Sequence, residues 1–375
     1  MMRRGEGQRN MTQCLPEELE PAELLPAGTL LHKRYAIDGV LGRGTYGITY
    51  AARDERTGAH VALKEFFPYA LVRRAERGSA LMPKNSAGGA LFFLGSEMFY
   101  RQHLALTDAK GSENLVSVHA AFFENGTSYA AMERLSGVTL ERYLQVRRRR
   151  LYPEEAMYIA ASLADALLVV HSLNSLHYDI NARSIFLCTD GTVKLIDFGA
   201  AKAGLRARRE VDDGEPWIDL SAIARTLYEA MTGIAIFGDG LQPHANIPPQ
   251  FFSFLWQMTD LAGSRRVASV FDYRHALACV EIGARPLYVS EEDAANAAVV
   301  LQKTAAKNEG AAGVPARPSA FERVLEAMER VASEAQPDAE KARRELKFRK
   351  KIWLIYGAVA AASLILALVL RAVLH

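Results

Sequence analysis

The residues of this chain best placed to do chemistry are a glycine run, Gly42-Arg43-Gly44-Thr45-Tyr46-Gly47, a lysine closing the apolar run Val61-Ala62-Leu63-Lys64, and two acidic stretches, His177-Tyr178-Asp179-Ile180-Asn181-Ala182-Arg183-Ser184 and Asp197-Phe198-Gly199. Glycines spaced G-x-G-x-x-G let backbone N–H groups approach phosphate oxygens with no side chain in the way. A lysine at the end of an apolar strand sets a cation beside that anion site. An aspartate can hold a divalent cation or receive a proton from an attacking hydroxyl. The chemistry these residue types share is the binding of a phosphate chain and, in favourable geometry, phosphoryl transfer.

These groups depend on the elements around them. Tyr35 to Val40 and Ile48 to Arg53 read as strands about the glycine turn, and a third strand, after the turn Glu55 to Gly58, ends at Lys64. Dinucleotide-binding folds use the same glycine letters, but there the third glycine opens a helix, whereas Ile48-Thr49-Tyr50-Ala51 continues extended. Leu91, Phe92, Phe93, Met98, Phe99, Leu104 and Leu106 recur with helical spacing over residues 91–108. Strands near Val116 to Phe123 and Ser128 to Glu133 follow, split by Asn125-Gly126. Beyond Gly137 the pattern turns helical: Leu140 to Arg149, Pro153 to Leu173, Trp217 to Thr232, Pro249 to Ala262 and Val270 to Val280. A short hairpin about Asp190-Gly191 joins Ser184 to Cys188 and Val193 to Ile196. The fold class is α+β, a small strand-rich lobe with one helix followed by a helical lobe, over residues 30–281.

Composition limits the partners. The 375 residues carry 45 Lys and Arg against 43 Asp and Glu, a formal net charge of +2 that excludes a generally basic nucleic-acid binder. Arg147 to Arg150 and the run from Lys341 to Lys351 are locally basic. The arginine run reads first as a solvated helix end, with anionic lipid or a partner as the other reading. Cys14, Cys188 and Cys279 follow no metal or disulfide spacing, which suits a reducing compartment. Residues 1–29 read as a polar leader and 282–351 as a polar helical linker. Residues 352–370 then run without a charge, about 28 Å as a helix, long enough for a ~30 Å hydrocarbon core, before a short tail at 371–375. Lys347, Arg349, Lys350 and Lys351 precede that segment, so a single-pass anchor would leave the N-terminal domain in the cytoplasm.

With the glycine run, Val61-Ala62-Leu63-Lys64, Asp179 and Asp197-Phe198-Gly199 in this order, the chain resembles the eukaryotic-like bacterial serine/threonine protein kinases over about residues 30–281. Lys64-Glu65-Phe66-Phe67-Pro68 and Gly47-Ile48-Thr49-Tyr50 are similar to strings of one bacterial branch, and Asp219 looks like the family's buried Asp after the activation segment. The resemblance implies a two-lobed fold. It implies ATP held by Gly42, Gly44, Gly47 and Lys64, adenine met by the backbone from Glu133 to Leu135 behind Met132, Asp179 as base, and Mg²⁺ on Asp197.

The departures point to a degenerate, pseudokinase-like member. The lysine should pair with a Glu on the following helix; here the candidates are Glu97 and Gln102, and Gln102 is favoured because Leu106 lies four residues on. Tyr178 replaces the arginine that clamps a phosphorylated segment. Ser184 replaces the metal-binding Asn, with Asn181 on a different bearing, so one Mg²⁺ ion is expected rather than two. No Ser, Thr or Tyr lies between Asp197 and Asp219, no Ala-Pro-Glu follows, and Arg266 lacks that motif's Glu. The expectation is a membrane-anchored, nucleotide-binding signalling scaffold with an unknown protein partner; an active kinase with an atypical metal site and a nucleotide-free adaptor are the alternatives.

Overall fold

The structure is a computed structural model that describes residues 23–75, 78–109, 112–201, 204, 215–236, 240–259 and 267–295. The expected membrane segment 352–370, the basic run before it, Arg266, Cys14 and most of the stretch from Asp197 to Asp219 lie outside the described residues.

The upper lobe is one antiparallel sheet in the order β1-β2-β3-β4-β8-β7, built from β1 (Leu30–Leu31), β2 (Tyr35–Gly44), β3 (Gly47–Asp54), β4 (His60–Phe66), β7 (Val118–Glu124) and β8 (Thr127–Glu133). A small hairpin, β5 (Val72–Arg74) with β6 (Leu81–Pro83), leads into α1 (Ser86–Leu106), which packs against β7 and β8. Asn85 caps α1 through a 2.6 Å bond from the Gly88 N–H, which starts the helix before the first apolar repeat at Leu91. Asn125 and Gly126 both take positive φ, the geometry a tight β7–β8 hairpin needs.

A second sheet, β11-β10-β9, joins β9 (Gly137–Thr139), β10 (Ile185–Cys188) and β11 (Val193–Leu195). Thr139 caps α2 (Leu140–Arg147), and Pro153 opens α3 (Pro153–Ser172). Ile159, Leu163, Leu167 and Val170 of α3 are buried, as are Leu220, Ile223 and Leu227 of α4 (Trp217–Thr232). Phe251 and Phe254 of α5 (Pro249–Thr259) stack on each other, and Phe254 meets Tyr273 of α6 (Val270–Ala278) edge-on. Among the described residues α3 is the one helix long and apolar enough to cross a membrane, but 61% of that window is buried, as in a core helix.

Two expectations change. Packing begins before Leu30: Leu25 is buried, and the Glu23 carbonyl accepts a 2.7 Å bond from Arg74. Packing also continues past Glu281, where Leu287 and Val289 are buried and the Arg285 N–H bonds the Glu154 carbonyl at 2.9 Å. Those apolar residues are too few and too scattered to carry a helical period, so the sequence pattern passes over them. The arginine run is the exposed helix end that the sequence suggests, and two of its members also make contacts. Arg147 pairs with Asp293 at 3.0 Å, and Arg149 grips the buried Glu155 and the Tyr143 hydroxyl.

Candidate functional site

The lower face of the upper sheet forms a low ceiling. Residues directly opposed in an antiparallel sheet share a face. The registers Gly42↔Thr49, Thr49↔Lys64 and Lys64↔Ala130 therefore draw one row across four strands, and Ala51↔Ala62 and Ala62↔Met132 draw the next. Alanine at 51, 62 and 130 keeps this surface flat. Met132 stands on it, and residues 134–136 then lead irregularly from β8 to β9. Glu133, at the start of that link, turns its carboxylate to the Ser117 N–H at 2.8 Å and to Lys194 Nζ at 2.9 Å. Leu135 is half-buried within the link.

The glycine run forms the tip of the β2–β3 hairpin, pinned where the Phe67 N–H donates to the Tyr46 carbonyl at 2.9 Å. A Cβ on Gly47 would stand 2.7 Å from the Glu65 carbonyl oxygen, so the sheet itself requires glycine there, whereas Gly42 has nothing within 4 Å and leaves the space over its backbone open.

Below the ceiling, Lys64 Nζ forms an ion pair with Asp197 Oδ1. Asp197 reaches it by adopting φ +65°, a left-handed conformation that turns its carboxylate up and sends Phe198 down. Phe198 is buried, 4.6 Å from the His177 ring and 6.4 Å edge-on from the His103 ring. The Gly199 N–H donates to the His177 carbonyl at 2.8 Å, and Gly199 lies so close to Asp179 that no Cβ fits. Asp219 underlies the whole loop. It is fully buried, accepts the N–H groups of His177 and Tyr178 at 2.8 Å each, and faces His171 Nε2 at 3.0 Å. Those bonds hold Tyr178 at φ +66°, a conformation costing about 1–3 kcal/mol for a bulky residue.

The residue facing Lys64 from α1 is neither of the two expected. Glu97 pairs with Arg101 at 2.8 Å on the exposed side of the helix. Gln102 is buried one turn lower, where Nε2 donates to the Leu176 carbonyl at 2.8 Å and Oε1 accepts the Ala200 N–H at 3.1 Å. Between them Phe99 sets its ring centroid 5.7 Å from Lys64 Nζ and stacks on His103 at 4.0 Å. At about 100° per residue, position 97 points away from 99 and position 102 points aside and downward, so neither can take its place. Burial, added to by the Lys64 charge, pushes the His103 imidazole down to about 3, and burial also lowers His177. The sequence does mark the Phe99–His103 stack, since Phe99 belongs to the apolar repeat and His103 lies four residues on, but that spacing does not say which position faces Lys64.

The positions of the 177–184 loop close on one another. The Asp179 carbonyl accepts Asn181 Nδ2 at 2.8 Å and the Ser184 hydroxyl at 3.1 Å. Ser184 is buried, and its hydroxyl also accepts the Asn181 N–H at 2.9 Å, while Asn181 Oδ1 takes the Arg183 N–H at 2.9 Å. Mg²⁺ demands near-octahedral oxygen donors. Here Asp197 Oδ1 is engaged by Lys64, Ser184 is turned into the loop and Asn181 Oδ1 already accepts one N–H. Among the described residues no group of three or more His, Cys, Asp or Glu stands ready for a metal. These donors form no ready-made Mg²⁺ shell, and an ion on Asp197 would take its remaining ligands from water and phosphate.

Residues 35–217 match the family model described as protein kinase domain. CBL-interacting protein kinase 22 from Oryza sativa subsp. japonica is 31% identical over 171 residues, 45% of this chain and 37% of the relative, so the chain spans well under half of that relative's length. The solved structure of PpkA-294 in its apo form matches 68% of this chain and 99% of its own, with a TM-score of 0.55 and 22% identity, a likeness of fold alone.

Proposed function

Because residues 35–217 match the protein kinase domain family, we propose that this chain is a eukaryotic-like serine/threonine kinase-fold signalling protein that binds ATP or a related nucleotide between its lobes and works mainly as a scaffold or conformational switch, its phosphotransfer impaired. The observation that carries the reading is Lys64 paired with Asp197 while α1 meets it with Phe99. In this fold the lysine orients the phosphates because a helix carboxylate holds it in place. A π face attracts an ammonium more weakly, at about 0.5–2 kcal/mol, and supplies no hydrogen-bond acceptor.

The nucleotide would lie under Ala51, Ala62 and Met132, with its base toward the Glu133–Leu135 backbone and its phosphates under Gly42, Gly44 and Gly47 beside Lys64. Alanine at 51, 62 and 130 leaves that part of the ceiling without a large side chain. The second reading, an active serine/threonine kinase with Asp179 as base, draws support from the care with which Asp219, His177 and Gly199 fix the Asp179 backbone. The nineteen uncharged residues 352–370 behind Lys347 to Lys351 support a single-pass membrane anchor with the kinase-like domain in the cytoplasm, where it would meet a protein partner.

The test uses the full-length chain in detergent. Thermal stabilisation by ATP, without label transfer to protein that depends on Asp179, is the expected result. Transfer lost in Asp179→Ala would make the chain an active kinase, and a melting curve that ATP leaves in place would make it a nucleotide-free adaptor. Recovery of the full chain in membranes, with release of a chain ending at Lys351, checks the anchor.

A further inference from the structure

We infer that this cleft takes its nucleoside triphosphate free of a divalent cation, with the Lys64 ammonium occupying the place between Asp197 and the phosphates that a metal ion would otherwise fill. The inference rests on the nucleotide reading above and adds the ionic form of the ligand. It follows from where charge and oxygen donors stand.

A bound Mg²⁺ does two things at such a site: it shields the phosphate chain from the aspartate, and it bridges the two. Lys64 is already in contact with Asp197, and its side chain is 11% exposed, so the aspartate's charge is balanced by a cation held on a strand. An ammonium has three N–H donors, enough to keep one bond to a carboxylate and offer another to a phosphate oxygen. Glu97 is the sole acidic residue of α1 and is paired with Arg101, so the helix offers no carboxylate to draw Lys64 back from Asp197. The oxygens that would complete a metal's shell are used elsewhere: Ser184 by the Asp179 and Asn181 backbone, and Asn181 Oδ1 by the Arg183 N–H. A metal entering here would have to share the Asp197 carboxylate with Lys64 and find its remaining ligands in water and phosphate.

The distinguishing variant is Asp197→Asn. At a metal-dependent site, removing the aspartate abolishes nucleotide binding. Here it removes an anion that the phosphates face and frees Lys64 for them, so binding of ATP in EDTA should hold or tighten by roughly threefold or more. Lys64→Met should lose binding in EDTA, with circular dichroism confirming that both variants fold. The full-length protein in detergent would be titrated with ATP in EDTA and in excess MgCl₂, reading melting temperature and ATP affinity. The expected result is saturable stabilisation in EDTA of at least the size seen with MgCl₂. Stabilisation confined to MgCl₂, or loss of binding in folded Asp197→Asn, would overturn the metal-free site while leaving the nucleotide reading intact. A chain that ATP leaves unchanged in both buffers would overturn the two together.

Discussion

The Phe99 ring on α1 lies 5.7 Å from the Lys64 ammonium on β4, and the same ring contacts Phe66 at 5.6 Å and His103 at 4.0 Å. One side chain therefore supplies both the helix–sheet contact and the surface the lysine rests on. Phe99→Ala should cost about 3–5 kcal/mol, the range for emptying a buried aromatic site, while Phe99→Leu should cost far less because volume is kept. Urea denaturation of the two variants measures this. Equal midpoints for Phe99→Ala and wild type would mean that α1 does not pack through this ring.

Asp219 accepts two backbone N–H groups from the catalytic loop with its two oxygens, one on each. Asparagine has a single acceptor oxygen, so Asp219→Asn turns an amide NH₂ toward one of those donors and leaves it unsatisfied in a dry site. The expected loss is about 2–4 kcal/mol, from a charge-assisted bond exchanged for a buried donor clash. Amide hydrogen exchange offers a local readout: His177 and Tyr178 should lose protection before the strands of the upper sheet do.

The glycines divide by what surrounds them. Gly199→Ala places a methyl against the Asp179 Cβ and 3.1 Å from the Asp179 backbone N, so the loop must shift, at about 1–3 kcal/mol. Gly42→Ala meets nothing within 4 Å and should leave the melting temperature unchanged. If both variants melt with wild type, the close crossing of the two loops is not a feature of the folded protein.

What was legible in the sequence follows from how far each signal reaches. The glycine hairpin, the strand that carries Lys64 and the helices beginning at Pro153 and Trp217 are marked by local residues, and they stand where the pattern puts them, although that strand runs on to Phe66. β1, β5, β6 and β9 are two or three residues long, too short to show alternation. The partner of Lys64 was illegible for another reason. It depends on how α1 is rotated against the sheet, which Gln102 helps fix by bonding Leu176, 74 residues away, and Ala200, 98 away. Helical spacing gave the candidates at 97 and 102 but carries no information about which position faces a distant strand.

Two buried histidines make the fold sensitive to acid. His103 is held neutral in the folded state, with its imidazole down at about 3, and His177 is lowered as well. The unfolded chain takes up these protons near pH 6.5 and the folded chain does not, so stability is full above that pH and falls as pH drops through the window from about 6.5 toward 3. His103 alone should remove about 2 kcal/mol by pH 5. Melting curves from pH 8 to 5 should show a steepening loss below 6.5, and His103→Leu should flatten it.

Behind the sheet, on the face opposite Lys64, Glu65 is fully buried and accepts Arg74 Nη2 at 2.7 Å, the Tyr50 hydroxyl at 3.0 Å and the Tyr129 hydroxyl at 2.6 Å. Burial and the Glu65 charge raise both phenols above their usual range, so each remains a neutral donor. Arg74 in turn holds the Glu23 and Ser79 carbonyls, and Tyr50 receives the Leu25 N–H, which ties the segment before β1 to the sheet. Arg74→Met leaves a carboxylate in a dry site without its cation and should cost about 3–5 kcal/mol. Glu65→Gln with Arg74→Met removes both charges together, and the double variant should recover part of that loss. Because Arg74 also anchors the chain at Glu23, protease should cut the Arg74→Met protein ahead of Leu30 sooner than wild type. A double variant no more stable than Arg74→Met alone would mean that the cost lies in those lost carbonyl contacts and not in the stranded charge.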